Sequence, residues 1–218
     1  MVFTLIGDIV GSRALRHRAR AQQAVVTTLL RVSSAMHLAQ RLEPTFGDEI
    51  QGGFETVADA ALATLLIRLE LNRLAHPSAP PDPSDEPAPE LVTMRFGIGK
   101  GDVRVFELET QPIRQDGPGW HAARDAIDSL GKRSGTRYVG PPDIEWPRPA
   151  AVNAFLVARD CLVDTLNHRQ RRMLLCTLHG EPQKVIAERE GISPSAVSQA
   201  FAKGVSAVRD AQTLFGKA

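Results

Sequence analysis

Aromatic residues and cysteine are scarce in this chain. Of 218 residues, 5% are aromatic, with a single Tyr, and only two are Cys. Two cysteines cannot staple a chain of this length, and Cys161 and Cys176 lie in apolar helical contexts, so both read as buried thiols. No stretch approaches the ~18 apolar residues of a membrane span. The apolar opening, residues 1–6, lacks the basic start and cleavage site of a signal peptide. The expectation is a cytoplasmic protein with no membrane partner. A net charge of +1 excludes a global field for nucleic acid, so any such surface must be local. The six histidines are scattered, and none is spaced with cysteine as a zinc ligand. P-loop and serine-nucleophile motifs are missing. What is present is 43% hydrophobic residues, enough for a real core. The length suits one large domain, or one domain of about 150 residues plus a small module.

The opening stretch organises the rest. Residues 2–7 form an apolar strand that runs to Asp8 and breaks at Gly11-Ser12, with Ser12 offered as a helix N-cap. A basic run follows (Arg13, Arg16, His17, Arg18, Arg20), and then one apolar helix face, Val25, Leu29, Val32 and Met36. Cations at a helix start oppose the macrodipole. They fit either an anion bound nearby or a solvated basic face. Residues 42–46 and 49–54 read as two short strands around a tight Gly47-Asp48 turn, with Gly52-Gly53 marking a close backbone or ligand approach. Residues 56–75 read as a long helix. Residues 76–90 hold six prolines and nothing to bury, and read as a mobile surface loop within the domain. Strands are expected at 91–98 and 103–108, a helix at 120–127, and an edge strand at Tyr138-Val139.

Asp8 and Asp48 then fall at the ends of neighbouring strands, an arrangement that can hold Mg²⁺ with phosphate oxygens as further ligands. The backbone N–H groups of Ile9, Val10 and Gly11 could cradle phosphates beside them. The local words carry a resemblance. Gly7-Asp8-Ile9-Val10-Gly11-Ser12 resembles the first metal motif of class III nucleotidyl cyclases. Phe46-Gly47-Asp48-Glu49-Ile50-Gln51-Gly52-Gly53-Phe54 resembles their second, and also the Gly-Asp-Glu turn of diguanylate cyclases. Arg95 to Gly101 resembles their glycine-turn strand, and Trp120 to Arg124 the helix with their transition-state residues. The resemblance spans about residues 2–130. It implies Mg²⁺ (or Mn²⁺) held by Asp8, Asp48 and the backbone of Ile9. It also implies a nucleotide held by Val10, Gly11, Ser12, Arg13, Phe46, Gly47, Glu49, Trp120 and Arg124. Two positions depart from the family pattern. Pro44 stands at the purine-selecting lysine and Trp120 at the ribose-orienting asparagine, while the phosphate arginine is kept as Arg124. Such a site is suited to binding a nucleotide and poorly equipped to align a 3′-hydroxyl for cyclisation.

The tail has a different pattern. Residues 167–215 read as three helices, with Ile186, Ala187, Gly191, Ile192, Val197 and Ala200 on a helix-turn-helix template, and Ser193-Pro194 capping the last helix. Glu190 stands where an apolar residue is usual and is expected to turn outward. The module resembles the region-four helix-turn-helix of sigma factors and response regulators. That implies double-stranded DNA as partner, with Ser193, Ser195, Ser198, Gln199 and Lys203 at the major groove and Arg169, Arg171 and Arg172 on phosphates. From Cys161 onward there are eight Lys/Arg and five Asp/Glu, a net of +3. That is modest for a DNA binder and favours a homodimer on a two-fold site. As a whole the chain is similar to the SatD family.

The expected fold is α+β: a ferredoxin-like nucleotidyl-cyclase sheet with helices on one face, followed by an all-α helix-turn-helix module. The expected division is 1–146 for the degenerate cyclase-like domain, 147–166 for a connecting helix and 167–218 for the DNA-binding module. The first expected function is a transcription regulator whose cyclase-like domain binds a purine nucleotide or cyclic nucleotide. The alternatives are an active metal-dependent nucleotidyl cyclase with a targeting tail, and a scaffold that binds neither ligand.

Overall fold

Val2–Ile9 (β1) is the central strand of the sheet. Alternation sends Phe3, Leu5 and Ile9 to one face and Thr4, Ile6 and Asp8 to the other, and all of these but Asp8 are buried. The computed structural model describes residues 2–45, 47–79, 87–105, 115–141 and 148–217. The next elements are Arg18–Ala35 (α1), Gln40–Pro44 (β2), Glu49–Phe54 (β3), Val57–Ala75 (α2) and Met94–Gly101 (β4). Then come Arg104–Val105 (β5), Gln115–Asp116 (β6), Pro118–Asp128 (α3) and Gly135–Val139 (β7). The main sheet runs β2-β3-β1-β4-β7, antiparallel except for the parallel β4–β7 pair. β5 and β6 pair separately, outside this sheet.

Helices cover both faces of the sheet, not one. α1 and α2 bury Val25, Leu29, Val32, Leu65, Leu66 and Leu69 against the face carrying Phe3, Phe96 and Ile98. α3 lies on the other face, where Ile6 meets Trp120, Ala123 and Ile127. Gly97, Gly99 and Gly101 alternate along β4 toward α3. A Cβ on any of them would collide with the α3 backbone, at Ala123 and Ile127, at Gly119 and Ala123, and at Gly119 respectively. These glycines serve helix–strand contact rather than a ligand turn. Gly52 and Gly53 do likewise for β2, where added Cβ atoms would meet Leu42 and Gln40. Thr4 spans the α3 contact by donating its hydroxyl to Gly119 O at 2.7 Å.

The chain continues through Pro149–Thr165 (α4), His168–Leu178 (α5), Gln183–Glu190 (α6), Pro194–Ala200 (α7) and Ser206–Phe215 (α8). Asn153 of α4 seals the edge of β7, accepting from Tyr138 N at 2.9 Å and donating to Tyr138 O at 2.8 Å. The wholly buried Arg159 of α4 reaches α2 and β7, donating to Ala61 O, Thr64 Oγ1 and Thr136 Oγ1 and pairing with Asp160 at 2.7 Å. One apolar core runs from Phe3 through Leu156 to Leu174, Ile186, Val197 and Phe215. The helix expected to connect two units is thus packed into both of them.

Several local expectations differ from the structure. Ser12 caps no helix. Gly11, at φ 69°, turns the chain into a single tight turn at Ser12–Ala14, and α1 begins only at Arg18. The third tail helix breaks after Ala200, where Lys203 and Gly204 (φ 133°) leave helical geometry. Cys176 is buried as expected, whereas Cys161 is exposed. Of the expected loop at 76–90, residues 80–86 lie outside the described residues, as do residues 106–108 of the expected strand at 103–108. No helix among the described residues is long and apolar enough to cross a membrane.

Gly99→Ala places a methyl group inside the α3 backbone. The expected result is a loss of at least about 2 kcal/mol of stability, read as the shift of a urea midpoint. A loss below about 0.5 kcal/mol, within the range of ordinary surface substitutions, would contradict the flush contact.

Candidate functional site

Three turns meet at one end of the sheet and enclose a cavity of about 480 Å³. The turn after β1 supplies Asp8, Ile9, Val10, Gly11, Ser12 and Arg13, and the β2–β3 turn supplies Asp48. The turn after α3 supplies Gly131 and Lys132, and β4 adds Arg95. The volume falls within the range of small-ligand pockets. Gly47, at φ 69°, shapes the β2–β3 turn, and Gln22 of α1 ties it down by donating to Gly47 O at 3.2 Å. The structure therefore brings together the two aspartates and the residues from Ile9 to Arg13 that the sequence marked.

The electrostatics of the mouth come from strand register. Asp8 stands opposite Glu49 on β3 and opposite Arg95 on β4. Two carboxylates facing each other across strands repel, and each is met by a guanidinium. Arg95 donates Nε and Nη2 to Asp8 Oδ2 at 2.9 and 2.5 Å, and its Nη1 to Gly131 O. Arg124 of α3 pairs with Glu49 at 2.6 Å. The row reads Arg124, Glu49, Asp8, Arg95, with a cation at each end and two carboxylates at its centre.

Asp8 and Asp48, the expected Mg²⁺ pair, both line this cavity. Asp8 gives its Oδ2 to Arg95. Among the described residues no group of three or more His, Cys, Asp or Glu is placed to hold a metal ion. A cation at Asp8 Oδ2 would have to displace the Arg95 guanidinium that is already there.

Other expected contacts are not gathered at the cavity. Phe46 lies outside the described residues. Trp120 is 7% exposed, packs on Ile6 and donates Nε1 to Gln115 at 3.2 Å, so it is a core residue. Arg124 and Glu49 are spent on each other. The N–H of Val10 is taken by Thr93 O at 2.9 Å and is not open to phosphate. His121, next to Trp120, is exposed and pairs with Asp116 at 2.9 Å. Arg95 and Lys132 were missed by sequence reasoning. Arg95 lies in one of the quoted words, but its place opposite Asp8 follows from pairing of strands distant in sequence. Lys132 had no signal.

In the tail, α6 and α7 pack through Ile186, Ala187 and Val197 around Gly191, which is left-handed at φ 63°. Ser193 caps α7 by accepting from Ala196 N, and its hydroxyl shares a hydrogen bond with Ser195. Ser195, Ser198, Gln199 and Lys203 are exposed, as is Arg169. Lys203 stands in the turn after α7 rather than on the helix. Arg171 donates to Val163 O and Asp164 O. Arg172 and Glu190 overturn two expectations. Glu190 points inward, and Arg172 holds it with two bonds of 2.8 and 2.6 Å while donating to His76 O at 2.8 Å. A buried carboxylate needs a buried cation, so Arg172 joins α5, α6 and the end of α2 and cannot reach a phosphate.

Beside this pair, His76 stacks on His168 with ring centroids 3.5 Å apart. Burial first, then the neighbouring His168, Arg172 and Arg171, hold the His76 pKa below its ordinary 6.5. The unfolded chain therefore takes up a proton that the folded chain refuses, and this contribution is present above pH 6.5 and lost as pH falls through the folded pKa.

Removing one partner of the buried pair, as in Arg172→Ala, is expected to cost about 3–5 kcal/mol, measured by chemical denaturation. Lowering the pH below 6.5 is expected to lower the urea midpoint. In His76→Gln the same pH series should be flatter; an unchanged profile would remove His76 as the cause.

No family model matches the chain, and no curated protein matches it.

Proposed function

We propose that the chain is a nucleotide-responsive regulator of transcription, in which a purine nucleotide or cyclic nucleotide binds in the cavity at the end of β1 and biases a DNA-binding tail. The observation that carries this reading is the convergence of the Asp8–Arg13 turn and the Asp48 turn on one cavity. The order β1-α1-β2-β3-α2-β4, with β1 and β3 central in an antiparallel set, supports a ferredoxin-like, cyclase-type sheet. The α6–turn–α7 geometry and its exposed Ser195, Ser198 and Gln199 support major-groove contact.

The same geometry argues for binding over cyclisation. Trp120, at the position that would orient a ribose, is packed in the core, and Arg124 is held by Glu49. With Arg171 and Arg172 engaged internally, Arg169 and the α7 face carry the DNA contacts. Few phosphate contacts give weak binding per copy and a shallow salt dependence, which favours two copies on a two-fold site.

A panel of purine nucleotides and cyclic nucleotides is expected to contain at least one that stabilises the protein against heat. At 100 times its Kd such a ligand adds about 2.7 kcal/mol. Gln199→Glu should abolish binding of genomic operator-like duplexes, read by fluorescence anisotropy, and leave the melting temperature unchanged. A panel without any stabilising nucleotide would remove the reading.

A further inference from the structure

Asp8 and Arg95 divide their work differently from the metal-centred expectation. The guanidinium has five N–H donors in a fixed planar fork. Two go to Asp8 Oδ2 and one to Gly131 O, which leaves two uncommitted by these bonds. The three bonds come from two different elements, the end of β1 and the turn after α3, so the group is held from two sides at the cavity wall. Arg13 and Lys132 line the same cavity, and its charged lining is three cations and two aspartates. One of those aspartates is neutralised by the Arg95 pair. The remaining balance favours an anion.

We propose that the cavity grips the phosphate of its ligand with Arg95, assisted by Arg13 and Lys132, without a divalent metal, and that Asp8 is a positioning residue for Arg95. This rests on the reading of the cavity as the nucleotide site and reassigns its phosphate arginine from Arg124 to Arg95. A planar guanidinium pre-oriented by a carboxylate suits two-point binding of phosphate oxygens.

The test uses the full chain and measures thermal stabilisation by ATP, GTP, their monophosphates, the matching nucleosides and inorganic phosphate, each with Mg²⁺ and in excess EDTA. Expected is stabilisation by phosphorylated ligands that survives EDTA and is missing with the nucleosides. Arg95→Met should weaken it about tenfold or more in Kd, with Arg95→Lys retaining part. Asp8→Asn, whose amide oxygen still accepts from Arg95, should keep most of the binding that Asp8→Ala loses; urea midpoints of the ligand-free variants separate this from misfolding. Nucleotide binding that disappears in EDTA, with Asp8→Asn as damaging as Asp8→Ala, would overturn the metal-free grip and leave the nucleotide site standing. Inorganic phosphate acting through Arg95 as strongly as any nucleotide would support the grip and overturn the nucleotide reading. No stabilisation by any phosphorylated ligand in either condition would overturn both.

Discussion

The contact of α3 with the bare backbone of β4 is the constraint from which the rest of the site follows. Gly97, Gly99 and Gly101 allow a helix to lie on a strand with no side chains between them. That closeness sets the height of α3 above the sheet. It lets Arg124 reach down to Glu49, and it brings the following turn near enough for Gly131 O to accept from Arg95. A bulkier strand would lift the helix, and both arginine contacts would lengthen together.

The charge row at the cavity mouth is a consequence of strand register more than of local sequence. Facing carboxylates are disfavoured unless cations stand near, and here the cations come from β4 and α3. The arrangement also means that Asp8, one of the two carboxylates most suggestive of a metal, is already engaged by the protein itself.

Much of the scaffold is legible in the sequence. β1, the β2–β3 hairpin, α2 and α3 announce themselves through apolar periodicity and turn glycines, and the Asp8 and Asp48 turns do meet at one cavity. Side-chain partnership is less legible. Asp8 and Arg95 are 87 positions apart, and only the pairing of β1 with β4 puts them side by side. Glu190 is a similar case. A charged residue at an apolar template position reads as surface, yet Arg172, eighteen positions earlier, makes its burial possible. Trp120 carried no mark to separate a stacking platform from a core residue; the packing on Ile6 decides it.

The Asn153 clamp on β7 has a consequence for growth of the sheet. One margin is closed by a side chain that mimics a neighbouring strand. The opposite margin, β2, carries Arg41, Glu43 and a terminal Pro44, and its register with β3 shifts between Gln40 and Glu43. Charge, proline and irregular pairing each discourage strand addition. Neither margin of the main sheet is a template for a continuous sheet across two molecules.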